Sequence, residues 1–253
     1  MTVLAASPAT APRIALITGA AHAAGPSDTG RALALAFARR GWDLALVIDP
    51  LASADAADAL AAEVVTLGRR AAVLVADLAD AGALAALVPA CLDALGRPTC
   101  VICHGEPPPA DDPRGASHAA LLDAFARQVA APVVLGRALA EATPEAARDD
   151  ERLRAVLIHL LDDALYHPVP ERLSDALAQA ALHRATTAQA LALAPKVRVA
   201  ALVRARAPHA DALAEAACYL AEARGVTGST LAVDGGEHLA PPEAGSAGPA
   251  GMI

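Results

Sequence analysis

Six side chains of this 253-residue chain are candidates for acid–base chemistry by their type and their predicted position. Two carboxylates and an imidazole can donate and remove protons without a redox cofactor when their surroundings move their pKa values apart. The order of predicted elements would allow these groups to cluster near the ends of strands. The alternative, which we favour, is solvated acids in a cleft without activity. The six residues are Asp162, Asp163, Asp175, His104, His159 and Tyr166.

A turn of small residues is the second chemical feature. Thr18 and Gly19 follow a short apolar run, and Gly30 stands at the start of a helical pattern. Such a turn lets the backbone approach a pyrophosphate, to which the helix N-terminus offers free N–H groups. Asp49 ends the next predicted strand, where a carboxylate can accept hydrogen bonds from ribose hydroxyls and favours NAD over NADP. An ordinary Asp-Pro turn is the other interpretation of Asp49.

The elements that must position these groups alternate along the chain. Apolar runs predict strands at residues 14–17, 43–48, 71–75, 99–103, 153–161, 197–203 and 229–233. Helical patterns separate them at residues 31–40, 54–67, 81–95, 117–142, 171–194 and 209–224. Continuous apolar strands alternating with helices predict an α/β fold, a single Rossmann-type doubly wound parallel sheet of about seven strands with helices on both faces. We expect one domain over residues 13–239, between flexible tails at 1–12 and 240–253.

Composition narrows the class of partner. The formal net charge is -8, which disfavours a nucleic-acid binder because phosphates require a basic surface. No apolar stretch predicts a membrane span, and the first residues do not resemble a secretory signal. Cys100 and Cys103 would point to opposite faces of a strand, so we expect buried, reduced thiols rather than a metal site. These features predict a cytoplasmic protein.

The order of local motifs resembles that of the classical short-chain dehydrogenase/reductase family. Thr18-Gly19-Ala20-Ala21 and Gly30-Arg31-Ala32 resemble its glycine motif, and Ala76-Asp77-Leu78 resembles its adenine-contacting turn. Gly105 keeps the small residue of the family's motif after the fourth strand. Asp162 with Pro168, and Ala131-Pro132, are similar to the pteridine-reductase branch. The resemblance implies a cofactor site, if one is retained, at Thr18, Gly19, Gly30, Asp49, Asp77, Leu78 and Gly105.

The catalytic pair of that family is missing. Its members use a tyrosine and, four residues later, a lysine, because positions i and i+4 share a helix face. The resemblance places the family's four catalytic positions at Gln128, Asp162, Asp175 and Gln179, with Asp175 for tyrosine and Gln179 for lysine. The only lysine is Lys196, and residue 192 is alanine. We therefore assign no catalytic residue and expect no metal site. We expect either no nicotinamide cofactor or a weakly bound one, NAD.

Two further departures concern the loops. The phosphate turn is lengthened around residues 23–27, and these residues could loop outward or fill the site. The substrate lid is reduced to the short connection Arg204-Ala205-Arg206-Ala207-Pro208. An open site is unfavourable for hydride transfer.

Three functions remain open. The first is a non-catalytic subunit that associates with itself or with an active paralogue through the two long central helices. Small residues such as Ala176, Ala180 and Thr187 would permit close packing there. The second is a non-redox acid–base enzyme. The third is an NAD(P)-dependent oxidoreductase of unusual mechanism in which Tyr166 replaces the missing acid.

Overall fold

A computed structural model describes residues 12–21, 29–105, 107–205 and 209–239. Seven parallel strands form one sheet in the order β3-β2-β1-β4-β5-β6-β7. This is the predicted doubly wound arrangement, because the order reverses direction between β1 and β4. The strands are β1 Ile14–Thr18, β2 Asp43–Ile48, β3 Ala71–Val75, β4 Cys100–Cys103, β5 Ala155–Leu161, β6 Val197–Arg204 and β7 Thr230–Val233. The predicted tails lie outside the described residues, except for Pro12.

Seven α-helices cover the sheet within the described ranges. They are α1 Thr29–Arg39, α2 Ala54–Thr66, α3 Ala81–Ala94, α4 His118–Phe125, α5 Ala131–Ala142, α6 Leu173–Leu193 and α7 Ala210–Glu222. The predicted single helix 117–142 is interrupted by a π-helical turn, Ala126–Ala130. The predicted start of the fifth strand at residue 153 is wrong. A short 3-10 helix, Glu151–Leu153, occupies that position because Asp150 accepts a hydrogen bond from the Arg152 N–H.

The core lies on both faces of the sheet. Alternate residues of β1 contribute to opposite clusters, with Ile17 on one face and Leu16 on the other. Cys100 belongs to the first cluster and Cys103 to the second, as predicted for two cysteines three apart on a strand. All four cysteines are free and buried. Burial raises the pKa of Cys100 and Cys103, so both thiols stay protonated.

The carboxyl ends of the strands meet at one edge of the sheet, and the predicted site residues lie there. The reversal of strand order between β1 and β4 opens a crevice at that edge. The helical segment His118–Ala142, which consists of α4, the π-helical turn and α5, flanks it. That helix is long and apolar enough by length and composition to cross a membrane, a test that core helices also pass. Here Leu135 and Leu139 pack into the core of the sheet.

Candidate functional site

The turn after β1 is held against the end of β4. Thr18 Oγ1 donates to the His104 carbonyl at 2.7 Å and accepts from the His104 N–H at 2.9 Å. His104 Nδ1 lies 3.2 Å from the Gly19 carbonyl, and Gly19 adopts a positive φ of 60°. His104 therefore joins two strand ends through local hydrogen bonds.

Gly30 allows helix α1 to approach this turn closely. A Cβ atom at Gly30 would lie 2.6 Å from the carbonyl oxygens of both Gly19 and Ala20, a distance that no side chain tolerates. The glycine thus provides the close helix–strand packing expected of the last glycine in a dinucleotide turn. The lengthened segment at residues 23–27 lies outside the described residues.

A cavity of about 420 Å³ lies at the ends of β2, β3 and β4. This volume falls within the range of about 300–1,000 Å³ that small-molecule sites occupy. Among the predicted cofactor residues, Gly19, Asp49, Leu78 and Gly105 line it. Asp49 also accepts a hydrogen bond from the Leu51 N–H at 2.9 Å. The Asp-Pro turn therefore forms part of the cavity wall, so the two interpretations of Asp49 do not exclude each other.

Arg127, which the sequence analysis did not single out, also lines this cavity. Its Nη1 lies 3.2 Å from Oδ2 of Asp49 and 2.8 Å from Oδ1 of Asp77. Its Nε lies 3.1 Å from Oδ1 of Asp123, one helical turn earlier. Asp77 also accepts a hydrogen bond from the Ala79 N–H. Both predicted carboxylates are therefore bound to one guanidinium.

The two acids at the family's catalytic positions lie together, as the resemblance implied. Arg172 Nη2 contacts Oδ2 of Asp162 at 2.7 Å and also pairs with Oδ2 of Asp175. Arg172 Nη1 lies 3.6 Å from Oδ1 of Asp163. Asp162 and Asp175 are buried, so the arginine neutralises charges that water does not reach.

The other two family positions complete the same network. Gln128 Nε2 donates to Oδ1 of Asp175 at 3.2 Å, and Gln179 Nε2 donates to that oxygen at 3.4 Å. Gln179 Oε1 accepts from the Asp162 N–H at 3.2 Å. All four predicted positions thus form one buried, hydrogen-bonded cluster closed by Arg172. We call these five residues the Arg172 cluster.

The carboxyl of Asp175 is the perturbed acid of the cluster. Burial, the largest cause, and the adjacent charge of Asp162 raise its pKa, and Arg172 opposes this shift only in part. An aspartic acid with a raised pKa holds its proton to a higher pH than an ordinary one, which is a property of general acids. Its hydrogen-bonding partners inside the cluster already occupy both of its oxygens.

The predicted clustering of His159 and Tyr166 with these acids is wrong. His159 is fully buried in β5, where Nδ1 lies 2.9 Å from Oγ1 of Thr186. Burial lowers the pKa of His159 to about 3, so its ring is neutral. The Tyr166 ring instead lies 5.2 Å, centroid to centroid, from that of His238, which is hydrogen-bonded to Asp234. The reason is that β5 directs His159 into the core, whereas Tyr166 follows the turn after the strand.

The loop after β4 is tied to the start of α6. Asp111 accepts hydrogen bonds from both the N–H and the Oγ of Ser174. The Asp111 N–H donates to the Glu171 carbonyl at 2.9 Å. Asp111 thereby caps a helix whose own N-cap residue, Arg172, makes no side-chain cap. The sequence analysis did not predict this attachment.

The short connection predicted in place of a substrate lid agrees with the element bounds, since β6 ends at Arg204 and α7 begins at Ala210. Residues 206–208 lie outside the described residues. In the described part of the chain, no group of three histidine, cysteine or acidic side chains could hold a metal ion.

Of the two arginines that sequence reasoning missed, Arg172 carried a usable signal. It stands three residues before the predicted catalytic position Asp175, and positions i and i+3 are neighbours on a helix. Arg127 carried no such signal, because it is adjacent to Gln128 and consecutive residues of a helix point in different directions.

Solved structures with this architecture include several reductases. FolM alternative dihydrofolate reductase 1 from Brucella canis, complexed with NADP, is 26% identical, with a TM-score of 0.81 over 94% of this chain and 99% of that chain. The Brucella suis protein, also in complex with NADP, is 27% identical, with a TM-score of 0.80 over 90% of this chain and 96% of that chain. Acetoin dehydrogenase from Enterobacter cloacae is 19% identical, with a TM-score of 0.80 over 91% and 97% of the two chains, a likeness of fold alone.

No protein-family model matches the chain, and no curated protein matches it. The assignment rests on the solved structures, on the sheet order, and on the predicted positions that the fold brings to one edge. The chain has the fold of the solved short-chain dehydrogenase/reductase structures to which it is similar.

Proposed function

We propose that this chain is a non-catalytic member of its structural class that acts as a subunit, associating with itself or with an active paralogue. The observation that carries this proposal is the Arg172 cluster. The positions that would hold tyrosine and lysine instead carry Asp175 and Gln179, which are hydrogen-bonded to one another. Neither can supply a phenol with a lowered pKa beside a cation, which is what proton transfer to a substrate carbonyl requires in this class.

The helices beside the cluster offer a surface for association. The exposed side of α4, α5 and α6 carries apolar residues, and Ala180 and Thr187 are small and exposed on α6. Such a surface permits close approach of a second helix pair. The exposed apolar residues are Leu122, Phe125, Val133, Leu177 and Leu191.

A turnover assay tests the proposal that the chain is not catalytic. The purified protein should not oxidise NADPH with dihydrofolate, or NADH with acetoin, above the rate without enzyme. The double variant Asp175→Tyr, Gln179→Lys restores the family's residue types and serves as the positive arm. Turnover by the unaltered chain that disappears in Asp162→Asn would contradict the proposal.

Particle mass tests association. We expect a dimer or larger species by light scattering at micromolar concentration. The variant Leu177→Glu, Leu191→Glu should dissociate it, because it places charge in an apolar contact. Leu92→Glu, at an exposed leucine of α3, is the matched control and should leave the mass unchanged. A monomeric chain that also fails to associate with a co-expressed dehydrogenase would overturn the subunit role.

A second candidate is a non-redox acid–base enzyme, favoured by the raised pKa of Asp175 beside Asp162. Such an enzyme would lose its activity in both Asp162→Asn and Asp175→Asn, and its rate would follow the titration of Asp175. Arg172→Lys distinguishes catalysis from structure, because it keeps the charge while loosening the two-acid contact.

Cofactor binding is a separate question from catalysis. The NADP complexes of the two Brucella proteins support retained nicotinamide-nucleotide binding in this class. The cavity beside Asp49 is the region in which the adenosine end of such a molecule would lie. The NAD preference inferred from Asp49 remains a proposal.

A further inference from the structure

Strand β3 forms one free edge of the sheet. In the part of the chain that the structure describes, it pairs only with β2. Natural edge strands use charged residues or proline to prevent pairing with other chains, whereas β3 consists only of alanine, valine and leucine. Val75 is 63% exposed, and Val65 and Leu67, at the end of α2 and just after it, are exposed as well. The edge is therefore apolar and open to a further strand.

The pairing with β2 determines which backbone groups of β3 remain free. Directly after β3, the Ala76 N–H donates to the Ile48 carbonyl at 3.0 Å. In a parallel ladder every second residue bonds to the same neighbouring strand, so the even-numbered residues of β3 face β2. The N–H and C=O groups of the odd-numbered residues consequently point away from the sheet, where a strand of another chain can bond them. These residues are Ala71, Val73 and Val75.

The order of side chains along β3 suits an antiparallel copy of the same strand. In a pair with its twofold axis at Val73, Ala71 lies opposite Val75 of the second copy. On the other face, Ala72 lies opposite Leu74 of the second copy. Each small side chain then meets a large one, and each pair of odd-numbered residues exchanges two backbone hydrogen bonds. An in-register parallel pair would instead place large beside large and small beside small.

Charge at the two ends of β3 favours the same orientation. Arg69 and Arg70 precede the strand and share one carboxylate, that of Asp43, which leaves net positive charge at this end. Asp77, which shares one arginine with two other aspartates, and the exposed Asp80 follow the strand and leave net negative charge there. An antiparallel copy brings the arginines of one chain to the aspartates of the other, whereas a parallel copy brings like charges together.

We propose that the β3 edge is a self-association surface, on which a second copy of this chain adds its own β3 in antiparallel orientation. This surface is distinct from the one on α4, α5 and α6 in the subunit proposal, and neither depends on the other. A pair of five-residue strands buries less than the ~1,600 Å² of a standard interface. The contact is therefore weak at micromolar concentration, where the helices determine the particle mass, and it is measured by trapping.

Disulfide trapping of the full chain at about 1 mM tests the register. Val73→Cys should give a cross-linked dimer, because hydrogen-bonded pairs have Cα atoms about 5.5 Å apart, within the disulfide range of about 4.4–6.8 Å. Val75→Cys should not, although position 75 is highly exposed, because its two copies would lie about 14 Å apart along the strands. The unaltered chain, whose four cysteines are buried, gives the background.

A mixture of Ala71→Cys with Val75→Cys is the most specific arm. Neither variant should cross-link with itself, whereas the mixture should give a mixed dimer, because the two positions face each other across the axis. Equal cross-linking by Val73→Cys and by Val75→Cys alone would indicate unspecific contact and overturn the proposal. So would the absence of dimer from both Val73→Cys and the mixture, with folding verified by circular dichroism.

A charge on the edge should slow the trapping. In the Val73→Cys background, Val75→Lys should reduce the rate at least about fivefold, because an edge lysine opposes strand pairing. Leu231→Lys makes the same kind of change on β7, the other edge strand, and should leave the rate unchanged. Leu177→Glu, Leu191→Glu should still be trapped, which separates this surface from that of the helices. Equal slowing by the two lysines would refute the assignment to β3.

Discussion

Two clusters of charged side chains lie at the carboxyl edge of the sheet, and we call them the two corners of that edge. In each corner one arginine binds three aspartates, but the two corners differ in their surroundings. Arg127 binds Asp49, Asp77 and Asp123 beside the large cavity, and Arg172 binds Asp162, Asp163 and Asp175 beside the small one. The side chains of Asp49 and Asp77 are each 41% exposed, whereas those of Asp162 and Asp175 are 5% and 1% exposed.

Because of this difference in burial, the aspartates around Arg127 form a solvated rim, whereas Asp162 and Asp175 with Arg172 form part of the protein interior. Exposed ion pairs contribute about 0–1 kcal/mol, since water and salt screen them and long side chains lose freedom. A buried carboxylate that loses its arginine keeps the full desolvation penalty. The first corner can therefore exchange its partners for a ligand, while the second must keep them for the fold to remain stable.

The largest expected effect comes from Arg172→Met. This change removes the guanidinium that the buried Asp162 and Asp175 share, and leaves only Arg204, 3.9 Å from Oδ2 of Asp162, as a cationic neighbour among the described residues. It should lower the free energy of unfolding by about 3–5 kcal/mol. Urea denaturation measures it. Adding Asp175→Asn to Arg172→Met should recover part of the loss. A loss below about 1 kcal/mol would mean that the two corners do not differ.

The substitution Asp175→Asn tests the buried corner through the pH dependence of the unfolding free energy. Because the pKa of Asp175 is raised in the folded protein, the ionised carboxyl opposes folding above that pKa, and the penalty disappears below the unfolded pKa. The unfolding free energy of the variant, relative to that of the unaltered chain, should therefore increase as pH rises from 3 to 7. A difference independent of pH would contradict the assignment. Asp123→Asn, at the exposed corner, is the control.

Arg127→Met tests the exposed corner with the same substitution. We expect the unfolding free energy to change by less than about 1 kcal/mol, because water solvates the three carboxylates that remain. The same urea titration as for Arg172→Met makes the two numbers comparable. Equal losses at the two positions would remove the distinction between rim and core.

Salt gives the smallest effect. Raising NaCl from about 0.05 to 1 M shortens the Debye length from more than 10 Å to about 3 Å, and so weakens exposed pairs more than buried ones. The stability difference between Arg127→Met and the unaltered chain should shrink by a few tenths of a kcal/mol, while that for Arg172→Met stays nearly constant. Parallel salt dependence of both variants would count against the comparison.

Sequence patterns predicted the fold well because buried parallel strands leave a strong apolar signal. Element ends were displaced by one or two residues, as at residue 153, where a side chain of Asp150 begins a 3-10 helix. The grouping of Asp162, Asp175, Gln128 and Gln179 followed from the resemblance. Arg172 did not follow from the resemblance, although it stands three residues before Asp175. The Asp111 cap could not be predicted, because Asp111 and Ser174 are 63 residues apart and only the tertiary fold brings them together.

The π-helical turn between α4 and α5 has an evolutionary consequence. Arg127 and Gln128 are adjacent in sequence, yet one reaches the ends of β2 and β3 and the other reaches Asp175 in α6. Each residue of an α-helix advances by about 100°. Deleting one residue at the end of the turn would thus rotate Arg127 and Gln128 by about 100° relative to α5. Both side chains would then point away from their present partners. A point substitution can alter the contacts of Arg127 or those of Gln128 separately. An insertion or deletion in the π-helical turn would change both sets of contacts at the same time.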